Sequence, residues 1–314
     1  MASATSNHVI TNILESLSSS YLQGKQEVLR LSVIALLAGG HILIEDLPGL
    51  GKTTIALALA GSTGLSFGRV QCTSDMLPSD ITGLSVFNRE EGRFVFMPGP
   101  VFSNIVLLDE INRAMPRTQS AMLEAMEERR VTIEGTTHLL PDPFMVMATQ
   151  NPGDQSGTFP LPESQLDRFL ICTGIGYPPE ALEKQIIAGG GVRERLVDIV
   201  CAATRNDILE ARRIVSEQIY LSEKVVDYIH AIVTATRNHR MIQTGLSTRA
   251  AINLAQAAKA AAFLEGREFV VPEDAKGVAV SVCSHRLVLK PEFYATGGGE
   301  LLRELIADIP LPLA

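Results

Sequence analysis

One stretch constrains this chain more than any other: Ile42-Leu43-Ile44-Glu45-Asp46-Leu47-Pro48-Gly49-Leu50-Gly51-Lys52-Thr53-Thr54, followed by an Ala/Leu-rich segment. An apolar strand, a Gly-containing turn and a helix opening on Gly-Lys-Thr-Thr form the context in which backbone N–H groups and a helix N-terminus cradle phosphates. In such a loop Lys52 supplies a point charge to the β/γ oxygens and the Thr53 hydroxyl ligates Mg²⁺. The pattern GxxxxGK[ST] has Gly where Asp46 stands, so the Asp46 carboxylate must point away from the phosphates or weaken their binding. Phosphate-binding candidates are thus Pro48, Gly49, Leu50, Gly51, Lys52, Thr53 and Thr54.

A second segment agrees independently. Ile105-Val106-Leu107-Leu108 is a strand apolar on both faces, and Asp109-Glu110 follow at its carboxyl end, where open α/β sheets present their ligand crevice. Asp109 suits holding Mg²⁺ through water, and Glu110 suits polarising an attacking water, because phosphoryl transfer mainly requires positioning and charge neutralisation.

Around these motifs the chain alternates short apolar runs with helical stretches as far as residue 176. Strands are expected at Ile42 to Glu45, Val70 to Thr73, Asn104 to Leu108, Phe144 to Ala148 and Leu170 to Thr173, giving an open, mostly parallel α/β sheet. Beyond Tyr177-Pro178-Pro179 strands are expected to vanish, and amphipathic segments predict helices over Ser222 to Asn238, Ser247 to Leu264, Pro272 to His285 and Glu300 to Asp308. The expected division is 1–176 for the α/β domain and 177–314 for a smaller helical one. Two segments, Ser85 to Phe96 and Val131 to Leu139, read as hairpins around polar turns that the sheet does not need.

Composition excludes several classes. The 314 residues are 46% hydrophobic and 20% charged, which is globular, and the absence of Trp argues against an aromatic stacking platform. A net charge of −8 supplies no global field toward nucleic acid or anionic lipid. No uncharged run reaches the ~18 apolar residues of a membrane span, and the amino terminus lacks a signal-peptide pattern. Cys72, Cys172, Cys201 and Cys283 are widely spaced, so free thiols in a reducing cytosol are expected. The six histidines show no zinc-ligand spacing. Met115, Met122 and Met126, with Leu123, read as core, and Arg129 and Arg130 as a turn compensated by Glu127 and Glu128. Arg113 suits an intrachain ion pair and a reach to a neighbour equally.

The order of these motifs resembles that of the AAA+ ATPases, and specifically of the MoxR family. The resemblance rests on DLPGLGKTT (46–54), the segment from Leu77 to Gly135 with its two hairpins, ATQNP (148–152), LPESQLDRF (161–169) and GLSTRAA (245–251), and it runs from about residue 24 to residue 290. It implies a P-loop AAA+ sheet with a helix-2 insert and a pre-sensor hairpin, followed by an all-α lid. It further implies ATP and Mg²⁺ as ligands, ATP hydrolysis, a homo-hexameric ring, and chaperone-like work on a protein client with a von Willebrand A domain partner. By the same resemblance Asn151 is sensor 1, on a strand between those of the P-loop and Asp109. Arg168 is the arginine finger presented to a neighbouring subunit, and Arg249 is sensor 2 at the start of a lid helix, although Thr248 stands where the family more often has Pro. A cytoplasmic protein with no direct membrane insertion and no nucleic-acid partner is expected. The competing readings are a nucleic-acid motor, for which the near-neutral hairpins (Arg89 and Arg93 against Glu90 and Glu91) are unsuited, and a nucleotide-gated scaffold with negligible turnover.

Overall fold

The computed structural model describes the chain except for Met1, Tyr21, Gln23, Pro48, Pro152 and residues 154–156, 189–198, 200 and 313–314, and except for the side chains of residues 2–5, 19–20 and 185–186. Two helices, α1 (Ala2–Ser20) and α2 (Gln26–Leu37), precede β1 (Ile42–Glu45), the P-loop and α3 (Lys52–Thr63). Then come β2 (Phe67–Gln71), α4 (Pro78–Thr82), the hairpin β3–β4 (Gly83–Asn88, Arg93–Pro98), β5 (Ile105–Asp109) and α5 (Pro116–Glu128). A second hairpin, β6–β7 (Arg130–Ile133, Thr136–Leu139), leads to β8 (Met145–Gln150), and a short α6 (Glu163–Leu166) leads to β9 (Ile171–Thr173).

Five of these strands form one sheet in the order β2-β5-β8-β1-β9, parallel throughout. The strand carrying Thr149 therefore lies between the P-loop strand and the acid strand, and both hairpins stand outside the sheet. Successive side chains of a strand point to opposite faces. Ile42, Ile44, Ile105, Leu107, Met145 and Met147 accordingly join a core with α2 and the later helices, whereas Leu43, Val106, Leu108, Val146 and Ala148 join a second core with Met122, Leu123 and Met126 of α5. Both faces are covered, which is why the strands read as unbroken apolar runs.

Past β9 the chain is mostly helical, as expected. The helices Arg205–Glu217, Glu223–Asn238 and Thr248–Leu264 start where Thr204, Ser222 and Ser247 accept the N–H three residues on, satisfying donors that a helix N-terminus leaves open. Pro272–Cys283 and Gly298–Ala307 complete the set. Strands do not vanish here: Ile242–Thr244 pairs antiparallel with Val288–Leu289, and Ile242, Leu289 and Leu301 make a small core of their own. Strands this short carry too few residues for an alternation signal. Among the described residues no helix is long and apolar enough to cross a membrane, and all four cysteines are free.

Two further readings need correction. Met115 is 49% exposed, because Pro116 opens α5 and Met115 is its extended N-cap, outside the helical face. Arg129 is not part of a surface turn: it caps α5 in the left-handed region, and its guanidinium donates to the carbonyls of Phe144, at 2.5 Å, and Gly39. Arg130 does pair with Glu128, at 2.9 Å.

The buried His41 and the partly buried His285 are neutral. His41 accepts the Val146 N–H at Nδ1 and faces the Met126 carbonyl at Nε2, and burial lowers its pKa to about 3; burial does the same to His285. The unfolded chain binds these protons below its ordinary histidine pKa of about 6.5 while the folded chain refuses them until about 3, so stability falls as pH drops through that window. Each histidine then removes about 2 kcal/mol of stability between pH 7 and pH 5. Urea midpoints at the two values check this, and a midpoint that stays level would contradict the buried neutral assignment.

Candidate active site

The cleft at the carboxyl edge of the sheet is built from strand ends. Gly49, Gly51, Lys52, Thr53 and Thr54 form one wall, Asp109 and Glu110 another, and Arg69, Gln71 and Thr149 the rest, around a cavity of about 380 Å³. Gly49 and Gly51 have φ of 87° and 90°, the left-handed region that glycine adopts without steric cost, and a side chain added at Gly49 would meet nothing within 4 Å. The loop thus leaves a bare concave backbone surface, followed at once by the N-terminus of α3 at Lys52. Such a cradle, with a lysine, a threonine and two acids around it, has the donor set for a triphosphate and a divalent cation. Pro48 lies outside the described residues.

Lys52 is 8% exposed. Its Nζ donates to the backbone carbonyl of Asp46 and, at 3.3 Å, to that of Gln150, which holds the ammonium at the mouth of the loop. Burial lowers its pKa, opposed by Asp46, Asp109 and Glu110. The Asp46 carboxylate does point away from the cradle. One oxygen accepts the N–H groups of Ile175 and Gly176, both at 2.7 Å, and the other accepts that of Leu47 at 2.8 Å. Burial would raise its pKa, but these N–H bonds and Lys52 lower it overall. The residue that replaces the usual glycine therefore ties the P-loop to the segment that leaves β9 for the following helices.

The acids are held just as closely. The wholly buried Thr149 donates its hydroxyl to Asp109 at 3.0 Å and accepts the Glu110 N–H at 2.9 Å. Glu110 adopts φ 57°, ψ 54°, a conformation that costs a non-glycine residue about 1 kcal/mol or more and that this N–H bond pins. Arg69 pairs with Asp109 at 2.7 Å, Arg113 with Glu110 at 3.0 Å, and the Gln71 amide donates to Glu110 at 3.3 Å. Arg113 thus makes the intrachain pair. Arg69, Gln71 and Thr149 were not singled out from sequence, although Arg-x-Gln at the end of β2 is a polar alternation beside the acid strand, and Thr149 lies within the ATQNP segment.

The remaining candidates lie elsewhere. Asn151 follows β8 with its side-chain oxygen turned onto the Gly153 N–H at 3.1 Å. Arg168 and Arg249 meet in a second cavity, of about 210 Å³, that shares no lining residue with the first. Both bind the Glu127 carboxylate, Arg168 at 3.2 Å and Arg249 at 3.4 Å. Arg249, the second residue of the helix that begins at Thr248, also approaches Asp167 at 3.7 Å, and Asp167 is anchored by Arg286 at 2.7 Å.

Replacing Thr149 by the isosteric valine leaves a buried N–H and a carboxylate oxygen without their partner. The expected loss is about 1–3 kcal/mol of stability, measured as a shift in denaturant midpoint; a midpoint equal to that of the unaltered chain would show that the hydroxyl does not hold the acids.

A family model for ATPases associated with various cellular activities (AAA) matches residues 41–171, and one for the AAA lid domain matches residues 234–305. The uncharacterized protein YeaC of Bacillus subtilis is 43% identical over 92% of this chain and 91% of its own length. Chaperone MoxR1 of Mycobacterium tuberculosis is 38% identical, over 85% and 72% respectively, and the protein MoxR of Methylorubrum extorquens 30% identical, over 92% and 91%. The crystal structure of a candidate ATPase from Cytophaga hutchinsonii superposes with a TM-score of 0.90 at 36% identity, covering 99% of this chain and 97% of that one. With the sheet order, the P-loop and acid cleft, the two hairpins and these relatives in agreement, the chain belongs to the MoxR family of AAA+ ATPases.

Proposed function

We propose that the chain hydrolyses ATP at sites completed between identical subunits of a ring, most simply a hexamer, and uses the turnover to remodel or activate a protein client in the cytoplasm. The observation that carries this reading is the separation of the two cavities. The phosphate cradle and the acids share one cleft, while Arg168 and Arg249 face another with no lining residue in common. Permanently charged, planar guanidinium groups suit a γ-phosphate, and in this reading these two serve a neighbour's.

In this reading the P-loop amides and Lys52 bind the phosphates, Thr53 and Asp109 hold Mg²⁺, and Glu110 orients and deprotonates the attacking water. The metal supplies charge neutralisation of the phosphate oxygens. Thr149, Arg69 and Gln71 position the acids. Asn151, one residue past the strand between cradle and acids, would release Gly153 to orient the water. On assembly Arg168 and Arg249 would leave Glu127, their shared partner within one subunit, for the adjoining cleft.

The client side of the proposal rests on the first hairpin. Leu84, Val86, Phe87, Phe94 and Met97 are 46–66% exposed on it, more apolar surface than two strands need, while Arg93 is neutralised by Glu91 at 2.6 Å. Apolar, near-neutral contacts suit protein rather than nucleic acid. A similar protein carries the name chaperone, and the family resemblance supports a von Willebrand A domain protein as the partner that targets it.

The expected behaviour of variants follows from the separation. Lys52→Ala abolishes ATP binding, and Glu110→Gln keeps binding but loses turnover. Glu110→Gln and Arg168→Ala subunits are each nearly inactive alone, and mixing them restores ATPase activity, because some interfaces then join an intact acid to an intact arginine. A mixture whose activity is only the sum of its parts, while subunits exchange, would overturn the shared-site reading.

A further inference from the structure

A further cation, Lys25, reaches the P-loop without lining the cleft. Lys25 stands at the N-cap of α2 and reaches the loop from outside the cleft wall, its Nζ donating to the Leu50 carbonyl at 2.8 Å. Burial lowers its pKa, and no acidic group offsets that. A cation at a helix N-terminus also faces the positive end of the helix dipole, and the one acid of that first turn, Glu27, is exposed. As a structural element the charge is misplaced: an ammonium with three donors, half-buried, with no ion-pair partner among the described residues.

Its position says what it lacks. A Cβ added to Gly51 would collide with Lys25 Nζ and would come 3.6 Å from Thr54 Oγ1. The ammonium therefore lies over the bare face of Gly51, the kind of face that glycine in a phosphate loop keeps open for close approach of the backbone to phosphate. Gly51 and Thr54 also line the cleft of Lys52, Thr53 and the acids, where the terminal phosphates belong, so Lys25 borders that cleft without being part of its lining. Lys25 is also next to the segment that leaves β9: a Cβ on the preceding residue, Gly24, would press to 2.7 Å on Pro179 Cδ.

We propose that Lys25 is a second phosphate-binding lysine of the nucleotide site, taking a phosphate that ATP and ADP share, on the nucleoside side of the one that Lys52 serves. This rests on the nucleotide reading above. Binding would replace the Leu50 carbonyl by a charged acceptor, a stronger hydrogen bond for the same donor.

The test is the affinity of the full chain for ATP and for ADP, measured by titration without turnover, in the unaltered protein, Lys25→Met and Lys25→Arg. Lys25→Met should weaken both nucleotides by the same factor, roughly tenfold or more, Lys25→Arg should recover most of it, and the nucleotide-free melting midpoint of Lys25→Met should be unchanged or higher. Unchanged affinity in Lys25→Met, or a loss confined to ATP, would overturn the assignment. So would a nucleotide-free midpoint lowered in Lys25→Met, which would make the lysine a structural element. An unaltered chain that binds neither nucleotide would sink the nucleotide reading itself, and this inference with it.

Discussion

The structure depends on a parallel sheet that is buried on both faces. With Ile105, Val106, Leu107 and Leu108 all 0–1% exposed, a shift of register by one residue would exchange the two cores, so the strands are fixed against each other. Fixed strands fix their ends. Asp46, Asp109, Glu110, Thr149 and Gln150 lie at or just beyond the carboxyl ends of β1, β5 and β8, with Arg69 and Gln71 at the end of the edge strand β2. The cleft is therefore a product of packing, and its chemistry is borrowed from the apolar run behind each polar residue.

Within the cleft the charges are restrained by specific partners. Asp109 is shared by Arg69 and Thr149, and Glu110 by Arg113, Gln71 and the same threonine. The loop opposite is tied down by Asp46, which accepts the N–H groups of Ile175 and Gly176. The loop is thereby bonded directly to the segment that leads into the helical region, while of the arginines at the far cavity, held by Glu127 and Asp167, Arg168 stands just before β9 and Arg249 at the start of the helix Thr248–Leu264.

Much of this was legible in the sequence where the signal is local. The strand-turn-helix of the P-loop, the apolar run before Asp109-Glu110 and both hairpins are local patterns, each contained within a short stretch of chain, and each formed as read. Asp46 is instructive: that its carboxylate must turn away followed from the loop's chemistry, but its acceptance of N–H groups 129 and 130 residues on depends on how β9 lies against β1. Thr149 was in view within ATQNP, yet its role exists only because β8 sits next to β5. The meeting of Arg168 with Arg249 on Glu127 likewise needs tertiary packing. Met115 was misread because periodicity does not show where Pro116 starts a helix, and Arg129 because a left-handed cap lets its side chain turn inward.

The central claim of the proposed function is that hydrolysis requires two subunits, since Arg168 and Arg249 line a cavity that has no residue in common with the cleft of Asp109 and Glu110. ATPase activity per subunit, measured over a dilution series with mass followed by light scattering, tests this most directly. Activity per subunit should collapse as the assembly dissociates to monomers; monomers that retain the activity of the assembled state would contradict the account.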